Sequence, residues 1–335
     1  MRSILKQIPK VELHCHIDGS LRVDTVYELM KKDNILKNDV NIDDLKKQLR
    51  VNNDCKDLRE YLNKFEIPIN LMKNTKNIER IVYELLQDSS KENVLYSELR
   101  FCPLLHKTKD NSLHEIIESA IEGINRAKKD FNIESNLIMS NMRHLSFDEN
   151  VKLIDAAKDY LSSNVVAIDL AGSESDFAPN LHQKLFDYGL KKGFKITVHA
   201  GETGIAKNIT DSIDLLHAKR IGHGIDSIKD KEIINKLIRE NIMLEVCPKS
   251  NIDTMAVKDY NDHPIKKLYD LGVKINISTD NRTVSNVTLT DEYYNLFNKL
   301  NFTKEDFYKI YQDSINLSFM NEDKKAAFLN IKDVI

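Results

Sequence analysis

The sequence predicts an α/β fold, a single (β/α)8 TIM barrel spanning residues 1–335, on three observations. Eight short runs rich in β-branched residues recur along the chain, and each ends in polar residues. Amphipathic stretches with helical periodicity fill most of the intervals between them. From the third run onward the alternation repeats about every twenty to thirty residues, enough for a strand, a helix and two short loops.

The first run, Val11–His16, stops at a turn containing Gly19. The others are Val94–Phe101, Ser135–Asn141, Val165–Leu170, Lys195–His199, Arg220–Gly222, Ile242–Val246 and Lys274–Ser278. Helical patterns cover Leu113–Asp130, Asp148–Ser162, Leu181–Lys192, Asp230–Glu240 and His263–Leu271. Gly193, Asn241 and Gly272 stand where helices release into strands, positions that favour left-handed backbone. Two regions depart from the repeat. Arg22–Asn93 is too long for one crossover, and its excess reads as a helical insertion (about 22–93) after strand one. It lies on the face where barrel active sites open, and is expected to form a lid over the C-terminal mouth. Within it Leu58, Tyr61, Leu62 and Phe65 share an apolar face at helical spacing, which either packs on the barrel or closes over a ligand. Leu289–Ile335 reads as closing helices.

Composition narrows the function. The chain is 41% hydrophobic and 30% charged, with a net charge of −3, which gives no basic field to attract nucleic acid. No apolar run reaches the length of a signal peptide or a membrane span, so no membrane partner is expected. Four widely separated cysteines, Cys15, Cys55, Cys102 and Cys247, read as reduced, buried thiols of a soluble cytoplasmic protein.

Polar residues at strand C-termini converge on one barrel mouth. His14 and His16, two apart on strand one, project from the same face. Strand five ends H-A-G-E with His199 and Glu202, strand six gives His223 between two glycines, and strand eight ends in Asp280. His14, His16, His199 and Asp280 make a ligand set suited to zinc, with an open mouth for water. Glu202 is then placed as a proton donor or acceptor, and His223 as a second base or an electrostatic partner. Cys15 points to the opposite strand face and reads as packing. Arg100 and Arg143 read as members of charged networks, and His106, His144, His217 and His263 as structural or surface residues.

H-C-H-I-D-G-S-L, D-L-A-G, H-A-G-E, R-I-G-H-G and S-T-D-N, in this order, together resemble the adenosine deaminase family. D-L-R-E-Y-L-N-K-F in the insertion is similar to the family's lid helix, so the resemblance covers essentially the whole chain. It implies a zinc enzyme of purine salvage that converts adenosine, and 2′-deoxyadenosine, with water to the inosine product and ammonia. One zinc ion per chain is assigned to His14, His16, His199 and Asp280. Glu202 becomes the acid that protonates purine N1, and His223 the partner of the zinc-activated water. The resemblance also implies substrate contacts from His16, from Gly172 through its backbone, from Asp18 near the ribose 5′ side, and from Leu58, Tyr61, Leu62 and Phe65 in the lid. A small purine nucleoside is the only partner it implies. Asn281 departs from the family, many of whose members carry Asp there. An amide can still hydrogen-bond N7, but base and sugar preference stay open.

The chemistry is coherent. C6 of the purine is a poor electrophile, so the nucleophile must be strengthened by a metal and the ring weakened by a proton at N1. The Cys-x-x-Cys signature of other zinc deaminases is missing, so any likeness to them is of chemistry alone. Rival readings are a phosphoesterase-like hydrolase, a deaminase of adenine or a 5′-modified adenosine, and a nucleoside-binding protein without catalysis. Strand four ends D-L-A-G with no lysine to bridge two ions, which favours one metal. All four ligands and the acid are present, which disfavours loss of catalysis.

Overall fold

A computed structural model of the chain describes residues 1–33, 35, 41–51, 55 and 58–330, with the side chains of Leu58 and Arg59 outside the described part. Eight parallel strands form one sheet in sequence order: β1 (Lys10–His16), β2 (Val94–Phe101), β3 (Glu134–Met142), β4 (Val165–Ala171), β5 (Lys195–Ala200), β6 (Arg220–His223), β7 (Met243–Val246) and β8 (Ile275–Ile277). Each lies within one residue of its expected bounds. Helices cover the outside, as the apolar stripes demand. Leu113–Asp130 forms as expected behind a Ser112–Glu115 capping box. The pattern over Asp148–Ser162 resolves into a helix, Phe147–Ala157, and a 3₁₀ turn, Lys158–Tyr160. Gly193, Asn241 and Gly272 adopt φ of 97°, 54° and 94°, the left-handed backbone that ends each preceding helix. Among the described residues, the helices Arg2–Gln7, Lys207–Asp214 and Pro248–Asp253 were not anticipated.

The insertion contains Val23–Lys32, Ile42–Leu49, Leu58–Leu62, Glu66–Leu71 and Thr75–Ser90. The last of these packs along Leu113–Asp130 so closely that a Cβ at Gly123 would lie 2.6 Å from the Glu79 carbonyl oxygen. Thr75–Ser90 is therefore the ordinary crossover helix, and the extra material precedes it.

The barrel closes between β1 and β8 in two ways. At the mouth the contact is backbone: the His16 amide donates to Asp280 O (2.7 Å) and the Asp280 amide to His14 O (3.0 Å). Below, side chains do the pairing. Asn276 Nδ2 donates to Val11 O (2.9 Å), while its Oδ1 accepts from the Leu13 amide (3.3 Å) and Ser278 Oγ (2.6 Å).

Barrel interiors are usually filled by branched apolar layers. Here the strands carry buried charges as well: Glu98 and Arg100 on β2, Arg220 on β6 and Glu245 on β7. The tail seals the bottom of this polar interior. The Phe319 amide donates to Glu98 Oε1 (2.6 Å), Arg220 Nη1 donates to Leu317 O (3.3 Å), and the Arg220 guanidinium lies 3.7 Å from the Phe319 ring centroid. Among the described residues, no helix is long and apolar enough to cross a membrane.

Replacing Asn276 with Ala strips partners from the Val11 carbonyl and weakens the β1–β8 seam. The expected loss is about 2–4 kcal/mol of unfolding free energy. Urea unfolding measures it, and a change below about 0.5 kcal/mol would mean the backbone bonds at the mouth close the barrel unaided.

Candidate active site

The strand ends deliver the predicted residues to one place. His14, His199, His223 and Asp280 each offer a ligand atom within 4.8 Å of one another. His16 adjoins this group, with Nε2 3.1 Å from His199 Nε2 and 3.4 Å from Asp280 Oδ1. Gly222 lets the rings converge, since a Cβ there would lie 2.9 Å from His14 Cε1. His223 and Asp280 hold φ of 62° and 61°, a left-handed backbone that costs a non-glycine residue about 1–3 kcal/mol.

Carboxylates behind the histidines decide which nitrogen is free. His14 Nδ1 meets Glu245 Oε2 at 2.9 Å, and His199 Nδ1 meets Asp169 Oδ1 at 3.0 Å. A carboxylate only accepts, so both rings carry their proton on Nδ1 and keep a lone pair on Nε2. His14 Nε2 is buried with no hydrogen-bond partner, 3.4 Å from Asp280 Oδ1. Burial, with Arg100 nearby, brings the His14 pKa down to about 4, and burial holds His16 well below its ordinary value. Burial opposes charge on His199 too, but Asp169 outweighs it and raises that pKa. Asp280 is held well below the usual carboxylate range, because the hydrogen bond to His14 and the charge of His16 overcome its burial. Its Oδ2 accepts from Ser250 Oγ (2.6 Å). Imidazole nitrogens gathered beside an ionised carboxylate fit a divalent metal of the borderline class.

His223 differs from the other rings. Asn251 Nδ2 donates to Glu202 Oε1 (2.7 Å), which fixes the amide's orientation, and the same Nδ2 lies 3.1 Å from His223 Nδ1. With that orientation His223 Nδ1 accepts, so a neutral ring would carry its proton on Nε2, although His223 also stands among the four side chains that offer a ligand atom to one point. Glu202 Oε1 also accepts from Thr254 Oγ1 (3.0 Å). The turn that carries Glu202 is pinned from below by Glu174, whose carboxylate takes the amides of Gly201, Glu202 and Thr203 at 2.8–2.9 Å.

A cavity of about 300 Å³ opens beside this cluster. Asp18, Tyr61, Leu62, Phe65, Gly172, Glu202 and Asn281 line it together with His16 and His199. Tyr61 is buried with its hydroxyl 3.0 Å from Ser285 Oγ, Phe65 is half-buried, and Leu62 is exposed at the rim. The side chain of Leu58 lies outside the described part. Asn281 is buried with Oδ1 lacking a partner, packed so closely on Gly19 that a Cβ there would overlap its side chain. Cys15 faces away from the site, against Ser20 and Thr279.

The family model described as adenosine deaminase matches residues 9–333. An adenosine deaminase from Clostridium acetobutylicum is 47% identical over 326 residues, 97% of each chain. The chain belongs to the adenosine deaminase family. Among solved structures, an amidohydrolase from Burkholderia ambifaria with bound Zn is 26% identical, with a TM-score of 0.89 over 98% of this chain and 91% of that one. The N6-methyl-AMP deaminase of Arabidopsis thaliana is 25% identical, with a TM-score of 0.83 over 99% and 98%.

Sequence reasoning missed the supports of this family site. Glu245 and Asp169 each interrupt an apolar strand, M-L-E-V and A-I-D-L, and an acid in a buried run was the available signal. Glu174, Ser250, Asn251 and Thr254 sit in βα segments whose sequence carries no such mark. Arg100 joins a charged network as expected, donating to Glu245 Oε2 (2.6 Å), whereas Arg143 donates to the Phe177 and His199 carbonyls. His217 pairs with Asp187, and His144 stands exposed at the cavity rim.

Two predictions follow from this wiring. Glu245→Gln leaves Arg100 and Arg220 without their shared counter-charge, and is expected to cost about 3–5 kcal/mol in urea unfolding. It should also weaken metal retention in a chelator competition about 10–100-fold, and unchanged values in both assays would remove Glu245 from this role. The second prediction concerns acid. Burial lowers the pKa of His106 to about 4 and of His263 to about 3, against about 6.5 in an unfolded chain. Below that value the unfolded chain takes up protons that the folded one refuses, so stability is lost as pH falls. Unfolding free energy should drop by up to about 1.4 kcal/mol per pH unit for each ring between about pH 6.5 and pH 4, and His106→Leu should flatten the slope.

Proposed function

We infer that the chain is a zinc-dependent adenosine deaminase, which converts adenosine, and 2′-deoxyadenosine, with water to inosine or 2′-deoxyinosine and ammonia. The relatives named adenosine deaminase cover nearly its full length, and its metal-binding cluster adjoins a cavity of nucleoside size. The observation that carries the reading is the split of roles among the histidines: lone pairs at His14 and His199 Nε2, a proton at His223 Nε2.

His14, His16, His199 and Asp280 would hold one zinc ion, the metal bound in the Burkholderia relative. When bound it supplies a Lewis acid that lowers the pKa of water toward neutrality. Glu202 gives its proton to purine N1, which draws electron density from C6 and opens it to the water oxygen. The proton on His223 Nε2 orients that water. The water oxygen bonds to C6 as one water proton restores the acid on Glu202. The other passes from the new hydroxyl to the amino group, and the C6–N bond breaks to release ammonia and leave the 6-oxo, N1–H product. Asn251 and Thr254 fix Glu202 in place, so the acid meets N1 without searching rotamers. Asn281 faces N7, the Gly172 backbone meets the base, and Asp18 meets the ribose 5′ end. Tyr61, Leu62 and Phe65 exclude bulk water as a lid. A reducing, cytoplasmic setting agrees with four buried cysteines scattered through the core.

The decisive experiment follows the ultraviolet absorbance of adenosine with purified protein, before and after metal removal by a chelator. Turnover that stops on stripping and returns with zinc is expected, and inactivity toward adenosine at full zinc occupancy would overturn the reading. Glu202→Gln should retain zinc yet lose about 10²–10⁴-fold in kcat. Near-normal turnover in that variant would remove Glu202 from the acid role.

A further inference from the structure

The chemistry above leaves His263 unused, although it is buried one hydrogen bond away from the amide that holds the acid. His263 precedes Pro264, and Ile265 opens a helix, Ile265–Asp270. The backbone amide at such a helix start has no acceptor within the helix. His263 Nδ1 supplies one, accepting from the Ile265 amide at 3.1 Å. A backbone N–H only donates, so the neutral ring carries its own proton on Nε2. Burial, with His223 nearby, keeps the ring neutral by bringing its pKa down to about 3. His263 Nε2 stands 3.3 Å from Asn251 Oδ1 and therefore donates to it. The carbonyl end of the Asn251 amide is thereby turned to His263, and Nδ2 to the active site. Both Nδ2 hydrogens find acceptors there, one on Glu202 Oε1 (2.7 Å) and one on His223 Nδ1 (3.1 Å). Were the amide turned over, its oxygen would face two acceptors and its NH2 would face the His263 N–H, so three contacts would be lost together. The relay starts at a backbone amide, whose sense is fixed, and ends on one oxygen of Glu202.

We propose that His263 is a positioning residue for the acid: by fixing the amide of Asn251 it makes Glu202 Oε1 an acceptor and leaves Oε2 to carry the proton given to purine N1. The inference rests on the deaminase reading and on Glu202 as its acid. Without the His263 donor the Asn251 amide is free to turn, and the acid proton is shared between the two oxygens. An acid that presents the wrong oxygen part of the time protonates N1 more slowly, while the walls of the cavity stay as they are. His263 is not among the described residues that line the cavity, so its loss is felt in turnover rather than in binding.

The test uses two amide side chains that each imitate one half of the imidazole. His263→Asn keeps an acceptor near the Nδ1 position for the Ile265 amide and withdraws the Nε2 donor. His263→Gln keeps a donor near the Nε2 position. With zinc-loaded protein and adenosine, His263→Asn should lose about 10- to 100-fold in kcat while KM stays within about threefold. His263→Gln should hold kcat within about fivefold of the wild type. In an Asn251→Ala background, His263→Asn should cost less than about twofold more, because the relay is already cut. Equal losses in the Asn and Gln variants, or a His263→Asn loss that persists in full beside Asn251→Ala, would make the residue merely structural and overturn the proposal. Should the variants fail to fold, nitrogen NMR of the wild type with labelled imidazoles reads the His263 tautomer directly. A proton on Nε2 is expected, and a proton on Nδ1 would overturn the relay. A zinc-loaded wild type that turns over no adenosine would overturn the deaminase reading itself, whatever the tautomer.

Discussion

Glu245 is the hub on which the interior of the barrel depends. One buried carboxylate accepts from Arg220 Nε (2.7 Å), Thr197 Oγ1 (2.9 Å), Arg100 Nη2 (2.6 Å) and His14 Nδ1 (2.9 Å). Burial alone would push such a group to hold a proton, but the two arginines keep it ionised, well below the usual carboxylate range. The charge is held in the low-dielectric interior only because every lone pair is engaged. Arg220 then reaches Glu98 below, and Arg100 lies 3.5 Å from Asp169, which orients His199. One connected network thus sets the tautomers of two imidazoles on opposite sides of the centre, and the ring orientations at the mouth follow from ion pairs in the middle of the barrel.

This wiring explains the division of labour among chemically identical side chains. Histidines backed by carboxylates present lone pairs, and the histidine backed by an amide presents a proton. The left-handed backbone at His223 and Asp280 aims two of these groups where an ordinary strand end would not, and the cost is met by the hydrogen bonds that hold them. Glu202 needs a different support because it sits on a turn rather than a strand. Glu174 beneath its amides and Asn251 above its carboxylate give that turn the rigidity of the sheet.

The strands were legible because short β-branched runs, each ended by polar residues, recur between stretches of helical periodicity. Polar residues at their ends were equally legible, since His14, His16, His199, His223 and Asp280 interrupt an otherwise apolar pattern. The helix Pro248–Asp253 escaped because its few residues set up no periodicity, although it carries Ser250 and Asn251. The insertion was visible as excess length, but the boundary between its extra part and the crossover helix needed the packing of Gly123 on Thr75–Ser90.

The seal at the barrel floor has a consequence for how the molecule is made. Glu98 is synthesised early and Arg220 midway, yet the contacts from Leu317 and Phe319 that enclose their pair come from the far end of the chain. A nascent polypeptide emerging from the ribosome holds most of its ionic interior before it holds the stopper that keeps water out. The ion pairs that set the tautomers of His14 and His199 therefore reach their enclosed form only once residues 317–319 have joined the barrel floor, so the mouth depends on a segment at the opposite end of the barrel.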